Sequence, residues 1–112
     1  MDIHTFINNW IETSNTFDTN KYLDFYLPDA VLDDTSVGRK FIGHKEIKDY
    51  FDSYFIGYNT NTEIVQLEIL DEYHAHSEVE FEGDFPEGKI GGTFEFTFKN
   101  GKISYLKADL IH

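Results

Sequence analysis

Two adjacent carboxylates, Asp33 and Asp34, close the short apolar stretch that runs from Ala30 to Leu32. Because side chains alternate across a strand, Asp34 shares a face with Leu32, and Asp33 lies on the opposite face. If Leu32 points into the core, Asp34 borders an apolar space, where desolvation favours the protonated form of a carboxylate and raises its pKa. Such a group can act as a general base in proton transfer. The alternative is that both aspartates belong to a solvated turn before Thr35.

A second set of residues has the side-chain types of a metal site. His74, His76 and Glu78 are spaced two apart and would share one face of a strand, as zinc and iron ligands can. The same face continues through further glutamates, however, and this is typical of a solvated surface. The pair Gly91–Gly92 is not followed by a helix and does not form a phosphate loop. We therefore expect no metal and no cofactor.

Composition limits the classes of function. A chain of 112 residues without internal repeats fits one domain, residues 1–112. Its 11 phenylalanines, 7 tyrosines and single tryptophan either fill a thick core or line a cavity for an apolar ligand. The formal charge of −12 disfavours nucleic acid and anionic membranes as partners. The start MDIHTFINNW resembles neither a signal peptide nor a membrane span, so we expect a cytoplasmic location.

Three stretches place apolar residues at helical spacing. The first follows Asp2, which can cap it. A shorter one begins at Asp18 or Thr19 and carries its aromatic residues as far as Tyr26. The third opens at Gly43 and has the strongest apolar stripe, which consists of Ile47, Tyr50, Phe51, Tyr54 and Phe55.

The second half of the chain predicts four long strands, over residues 62–70, 73–82, 89–98 and 102–111. Asn100 and Gly101 are a hairpin signal. A two-residue turn there would place Phe94 opposite Lys107, whereas a three-residue turn beginning at Lys99 places Phe94 opposite Leu106. We predict the three-residue turn because it separates apolar from charged side chains. The inward face would then be Phe94, Phe96, Phe98, Leu106, Ala108 and Leu110.

Three helices followed by a long curved sheet with one apolar face describe an α+β cone with a helical lid. Two stretches, FDTNKYLDFYLPDAVLDD and FIGHKEIKDYF, give the chain a family resemblance. It resembles the nuclear transport factor 2-like superfamily, in particular the branch of SnoaL-like polyketide cyclases and ketosteroid isomerases. The resemblance covers nearly the whole chain and implies a cystatin-like cone of curved, mixed or antiparallel sheet wrapped around helices.

The resemblance also implies a site. In ketosteroid isomerases a general-base aspartate ends the first strand, and the matching of DAVLDD assigns that position to Asp34. The tyrosine and the protonated aspartic acid that stabilise the enolate in those enzymes match Trp10 and Phe94 here. Phe94 cannot donate a hydrogen bond, so this oxyanion hole is not reproduced. SnoaL-like cyclases take their acid–base residue from the closing strands, where His112 is in phase with the inward positions.

From these patterns we expect a cavity between the helices and the apolar sheet face, with Asp34 as the catalytic candidate at its wall. The expected ligand-binding residues are Trp10, Tyr22, Leu32, Phe51, Tyr54, Phe55, Val79, Phe81, Phe94, Phe96, Leu106 and Ala108. The leading interpretation is binding of a small lipophilic, largely apolar molecule. One alternative is an isomerase, cyclase or dehydratase of a small carbonyl compound, with Asp34 as base and Trp10, Tyr22, Tyr26 or Tyr54 as replacement donors.

Another alternative is an association module. The resemblance implies a homodimer that forms through the sheet face opposite the cavity. On the predicted register this face carries Val65, Leu67, Ile69, Glu80, Thr93, Glu95, Thr97, Ile103, Tyr105 and Lys107.

Overall fold

Three helices pack onto a curved six-stranded sheet in the computed structural model, which describes residues 1–111. His112, in phase with the inward positions of the last strand, lies outside the described residues. The elements are α1 (Ile3–Asn15), α2 (Thr19–Leu23), β1 (Tyr26–Asp34), β2 (Arg39–Ile42), α3 (Gly43–Phe51), β3 (Asn61–Ile69), β4 (His74–Glu82), β5 (Lys89–Lys99) and β6 (Lys102–Leu110). The expected α+β architecture, with three helices leading into four long strands, is confirmed.

Local side-chain contacts set the helix starts. The Asp2 carboxylate accepts a hydrogen bond from the backbone N–H of Thr5 at 3.1 Å, and Asp18 accepts one from Lys21 in the same way. Before α3, Glu46 accepts the backbone N–H of Ile42 at 3.1 Å. None of the described helices combines the length and apolar character needed to cross a membrane.

The sheet has the strand order β2-β1-β6-β5-β4-β3. Strand β1 runs parallel to β6, and the other neighbours are antiparallel, so the sheet is mixed. This parallel pairing sets Asp34, the last residue of β1, beside Ala108 of β6. Helix α3 packs on β1, and α1 packs near β3, the strand at the opposite edge of the sheet. Asp34 therefore lies where α3 covers the end of the central strands.

Two elements near the site differ from the sequence prediction. Helix α2 ends at Leu23, and Tyr26 already belongs to β1, so the predicted second helix is too long. Strand β2 was not predicted, because its Arg39 and Lys40 give it no apolar alternation. In addition, α3 continues into a π-helical turn, Asp52–Ile56, and such turns often occur near functional sites.

The last hairpin corrects the predicted register. Asn100 and Gly101 have φ values of 53° and 73° and form a two-residue turn, in which Lys99 pairs with Lys102. A bulge at Ser104 then shifts the pairing by one residue, so that Phe94 lies opposite Ala108 and not opposite Leu106. The inward face survives because the bulge restores the alternation. Ile103, predicted on the outer face, is instead fully buried.

Candidate functional site

A pocket of about 250 Å³ opens between α3 with its π-helical turn and the ends of β1 and β6. We call it the Asp34 pocket. Its lining residues are Asp34, Ser36, Val37, Tyr50, Tyr54, Phe55, Tyr58, Thr60, Phe81, Phe85, Glu87, Ile90, Ala108, Asp109 and Leu110. Aromatic and aliphatic side chains predominate, and a few polar groups converge among them. This combination is common to binding sites for small molecules.

Asp34 is the buried acidic group of this pocket, with 7% of its surface exposed. One carboxylate oxygen, Oδ1, accepts the backbone N–H of Ser36 at 2.9 Å and the Ser36 hydroxyl at 2.5 Å. The other oxygen, Oδ2, accepts the Tyr50 hydroxyl at 2.6 Å. Burial penalises the ionised carboxylate, while three donors stabilise it. The geometry fixes the orientation of Asp34 from both sides.

No cation neutralises this carboxylate, because none of the ion pairs formed within residues 1–111 includes Asp34. Arg39 of β2 pairs with Asp34 in the sheet, but its guanidinium group is directed elsewhere. This group lies 3.6 Å from the Glu46 carboxylate and 4.3 Å from the centre of the Phe41 ring. The lining residues of the pocket likewise include no lysine, arginine or histidine of the described chain. Asp34 is thus a buried acid held by neutral donors alone.

Tyr50 links the pocket to the core. Burial raises the pKa of Tyr50 well above its usual range, and the adjacent Asp34 charge raises it further. The Tyr50 hydroxyl therefore stays protonated near neutral pH and donates a hydrogen bond to Asp34. Sequence reasoning placed Tyr50 on the apolar stripe of α3 but did not select it for the site. Its position four residues before Tyr54, which was selected, was the available signal.

The walls of the pocket are aromatic rings in mutual contact. The ring of Tyr50 lies 5.3 Å from that of Tyr54 and 5.9 Å from that of Phe55, and Phe55 lies 5.9 Å from Phe81 in an edge-to-face arrangement. Gly92 lies on β5, where it pairs with Val79, and it leaves room for the Phe81 ring, because a Cβ atom at Gly92 would overlap that ring. The glycine thereby lets Phe81 reach the pocket.

The structure separates the predicted site residues into two groups. Asp34, Tyr54, Phe55, Phe81 and Ala108 line the pocket. The other eight are buried in the packed interior and do not line it: Trp10, Tyr22, Leu32, Phe51, Val79, Phe94, Phe96 and Leu106. Their inward orientation agrees with the sequence pattern, and they belong to the buried hydrophobic core.

Polar groups within this interior satisfy one another. The Trp10 indole N–H donates to the Tyr26 hydroxyl at 3.3 Å, and the Tyr22 and Tyr26 hydroxyls are 2.6 Å apart. Burial raises the pKa of both tyrosines well above the usual range. The rings of Phe94 and Phe96 contact Trp10 edge to face at 5.0 and 5.2 Å. We call Trp10, Tyr22, Tyr26, Phe94 and Phe96 the aromatic core.

These contacts decide which of the proposed replacement donors face the pocket. Trp10 and Tyr22 direct their polar atoms at Tyr26, inside the aromatic core. Tyr54 lines the pocket, as does Tyr58, a residue that sequence reasoning missed because it follows the predicted helix end at Gly57. Of the proposed replacement donors, Tyr54 is therefore the one that lines the pocket, and Tyr58 joins it there.

The histidines of β4 do not build a metal centre. His74 pairs through Nδ1 with Asp71 at 2.9 Å on the exposed side of the sheet. Within residues 1–111 no group of three or more histidine, aspartate or glutamate side chains is arranged to hold a metal ion.

Comparison with solved structures finds close similarity of fold at low sequence identity. A candidate polyketide cyclase from Sinorhizobium meliloti superposes with a TM-score of 0.83 at 22% identity, over 93% of each chain. SalBIII, an epoxide hydrolase/cyclase-like enzyme of pyran ring formation in the polyether salinomycin, gives 0.83 at 18% identity, over 96% of this chain and 89% of its own. A candidate ketosteroid isomerase from Kribbella flavida gives 0.83 at 11% identity, over 96% and 76%.

These likenesses show the fold. A comparison with curated proteins finds no significant match. The family model of the SnoaL-like domain matches residues 7–106, in agreement with the resemblance inferred from the sequence, and the chain therefore belongs to the SnoaL-like domain family.

Proposed function

We propose that the Asp34 pocket binds a small, largely apolar organic molecule, with Asp34 as its main polar contact. The observation that carries this proposal is a cavity walled by aromatic rings whose buried acid has no cationic partner among the described residues. Its volume of about 250 Å³ is slightly below the range of about 300–1,000 Å³ that is common for ligand pockets. The ligand is correspondingly small.

A pair of matched variants tests whether the pocket is the binding site. Val37 lines the pocket and is 39% exposed, so a bulky side chain there should block the pocket without disturbing the core. Val65 is 59% exposed on β3 and does not line the pocket, which makes it the matched position. We expect Val37→Trp to abolish the binding of small aromatic compounds and Val65→Trp to retain it. NMR chemical-shift titration measures the binding. Equal binding by both variants rejects the pocket as the site.

Proton transfer is the second candidate function, and the position of Asp34, a buried carboxylate that lines the pocket, favours it. In an isomerase, cyclase or dehydratase of a small carbonyl compound, Asp34 takes a proton from the carbon next to the carbonyl. The C–H electron pair forms the C=C bond of the enolate while the C=O π pair moves to the oxygen, and the Tyr54 or Tyr58 hydroxyl donates a hydrogen bond to that oxygen. Two proteins of the same fold, described as cyclase and isomerase candidates, support this second proposal.

Exchange of carbon-bound hydrogen for deuterium tests this chemistry directly. If Asp34 is the base, the protein should accelerate exchange in a simple ketone such as cyclohexanone, and Asp34→Asn should reduce the rate by roughly 100-fold or more. The control, Asp33→Asn, makes the same change of charge on the opposite strand face, where Asp33 accepts the Tyr105 hydroxyl at 2.7 Å. Exchange no faster than in buffer leaves ligand binding as the function of the pocket.

A further inference from the structure

We infer that the ligand of the Asp34 pocket is a small organic cation, held with its charged nitrogen at Asp34 and its apolar part against the aromatic walls. The inference rests on the proposed ligand-binding function and adds to it the charge of the ligand. Three separate features of the pocket lead to it.

The first feature is the lack of a counter-charge. A buried carboxylate is normally paired with a cation, because neutral donors compensate only part of its lost hydration. Tyr50 and Ser36 donate three hydrogen bonds to Asp34, but neither brings a positive charge. A protonated amine brings both a charge and N–H donors, and its hydrogen bond to a carboxylate is of the strong, charge-assisted kind. Asp34 thus has the bonding of an acid whose cation is supplied from outside the chain.

The second feature is the sign of the rim. Glu87 and Asp109 lie at the exposed edge of the pocket, and no lysine, arginine or histidine of residues 1–111 lines it. An anionic ligand would bring its charge toward three carboxylates inside a protein whose formal charge is −12. The same field attracts a cation. Compounds that carry a carboxylate or phosphate group should therefore bind more weakly than cations of similar size.

The third feature is the chemistry of the walls. Tyr50, Tyr54 and Tyr58 line the pocket beside Phe55 and Phe81. The faces of aromatic rings attract cations within about 6 Å of the ring centre, and this attraction grows when water is excluded. A neutral ligand gains the apolar contacts with these rings but neither the cation–π attraction nor the charge-assisted bond to Asp34.

Three probes of nearly the same size and shape isolate the charge: benzylamine, benzyl alcohol and benzoate, measured by NMR titration at neutral pH, where the amine is protonated. We expect benzylamine to bind about tenfold more tightly than benzyl alcohol, and benzoate to bind most weakly. In Asp34→Asn the preference for the amine over the alcohol should disappear. In the control Asp33→Asn, which removes the same charge from the other strand face, the preference should remain.

The outcomes separate this inference from the function on which it rests. Binding of benzyl alcohol as tight as that of benzylamine, or tighter, overturns the cationic ligand and leaves a binding pocket for neutral molecules. Tightest binding of benzoate overturns it as well. Failure of all three probes to bind overturns the ligand-binding function and the inference together. The comparison within the unmodified protein decides the question even if Asp34→Asn fails to fold.

Discussion

The aromatic core around Trp10 and the Asp34 pocket are both built from tyrosine and phenylalanine, but they differ in how their polar atoms are satisfied. In the aromatic core the polar atoms pair with one another, because the indole of Trp10 and the hydroxyl of Tyr22 both bond to Tyr26. In the pocket the carboxylate of Asp34 is held by Tyr50 and borders an open space. A closed polar network rigidifies a core, whereas an open acid is available to a ligand.

The difference shows that an inward-facing aromatic residue is not evidence of a binding site. Phe94 and Phe81 face the same side of adjacent strands, and their rings lie 5.8 Å apart. Phe94 is enclosed by the rings of Trp10 and Phe96, while Phe81 borders the pocket. The boundary between core and site therefore runs between two neighbouring phenylalanines.

Truncation of one aromatic residue from each region gives the largest expected contrast. Phe94→Ala should lower the free energy of unfolding by about 3–5 kcal/mol, because it leaves a cavity in close-packed surroundings. Phe85 is half-buried at the pocket, so Phe85→Ala should lower the free energy of unfolding by only about 1 kcal/mol, because less buried apolar area is lost. Urea denaturation measures both. Equal losses would show that the pocket wall is packed like the core.

Alkaline pH should act on the three tyrosines that join the two regions. The pKa values of Tyr22, Tyr26 and Tyr50 are raised in the folded protein, chiefly by burial, so the folded state keeps protons that the unfolded state releases. The contribution of these tyrosines to the free energy of unfolding is fully present below a pH of about 10. Above this pH it is lost by about 1.4 kcal/mol per pH unit for each tyrosine.

Tyrosinate absorbance and circular dichroism, followed together against pH, test this prediction. At least three of the 7 tyrosines should ionise only as the helix and sheet signals disappear. Ionisation of all of them while the fold persists would contradict the closed hydroxyl network.

Removal of one hydroxyl from each region gives a smaller contrast. Tyr22→Phe leaves Trp10 as the one remaining partner, among the described residues, of the fully buried Tyr26 hydroxyl, and we expect a loss of about 1–2 kcal/mol in unfolding free energy. Tyr50→Phe removes one of the three hydrogen bonds to Asp34, and the two from Ser36 remain, so the loss should stay below about 1 kcal/mol. The same denaturation assay ranks the two variants. The reverse order would mean that the bond from Tyr50 to Asp34 stabilises the fold more than the hydroxyl pair of the core.

Association through the outer face of the sheet stays a prediction, with the smallest expected effect. Thr93, Glu95, Thr97 and Lys107 occupy this face. Ile103 does not contribute to it because it is buried. Leu67 and Ile69 do not contribute either, because after a bulge in β3 they pair with the inward-facing Ser77 and Ala75. Two chains of charge −12 repel each other, so a dimer should weaken as ionic strength falls and the Debye length grows. Sedimentation at several salt concentrations tests this. A monomer under all conditions at tens of micromolar protein rejects the dimer.

Periodicity predicted which side of an element faces inward where no bulge interrupts it, since that depends on the local pattern of side chains. It failed for Ile103, beside the β6 bulge, and for Leu67, after the β3 bulge. Leu32 and Asp34 are both buried, as strand alternation implies, and Phe94, Phe96, Leu106 and Ala108 share one face. The register of the last hairpin was wrong because the bulge at Ser104 has no sequence signal. The extent of the pocket could not be predicted, because an open space depends on how elements distant in the chain pack together.

The central claim is that ligand binds beside Asp34 and not within the aromatic core, and intermolecular nuclear Overhauser effects test it most directly. With benzylamine bound, its ring protons should show contacts to the Ala108 methyl group and to the rings of Tyr54 and Phe81, which line the pocket. Contacts to the indole of Trp10 or the ring of Phe96, in place of these, would contradict the account.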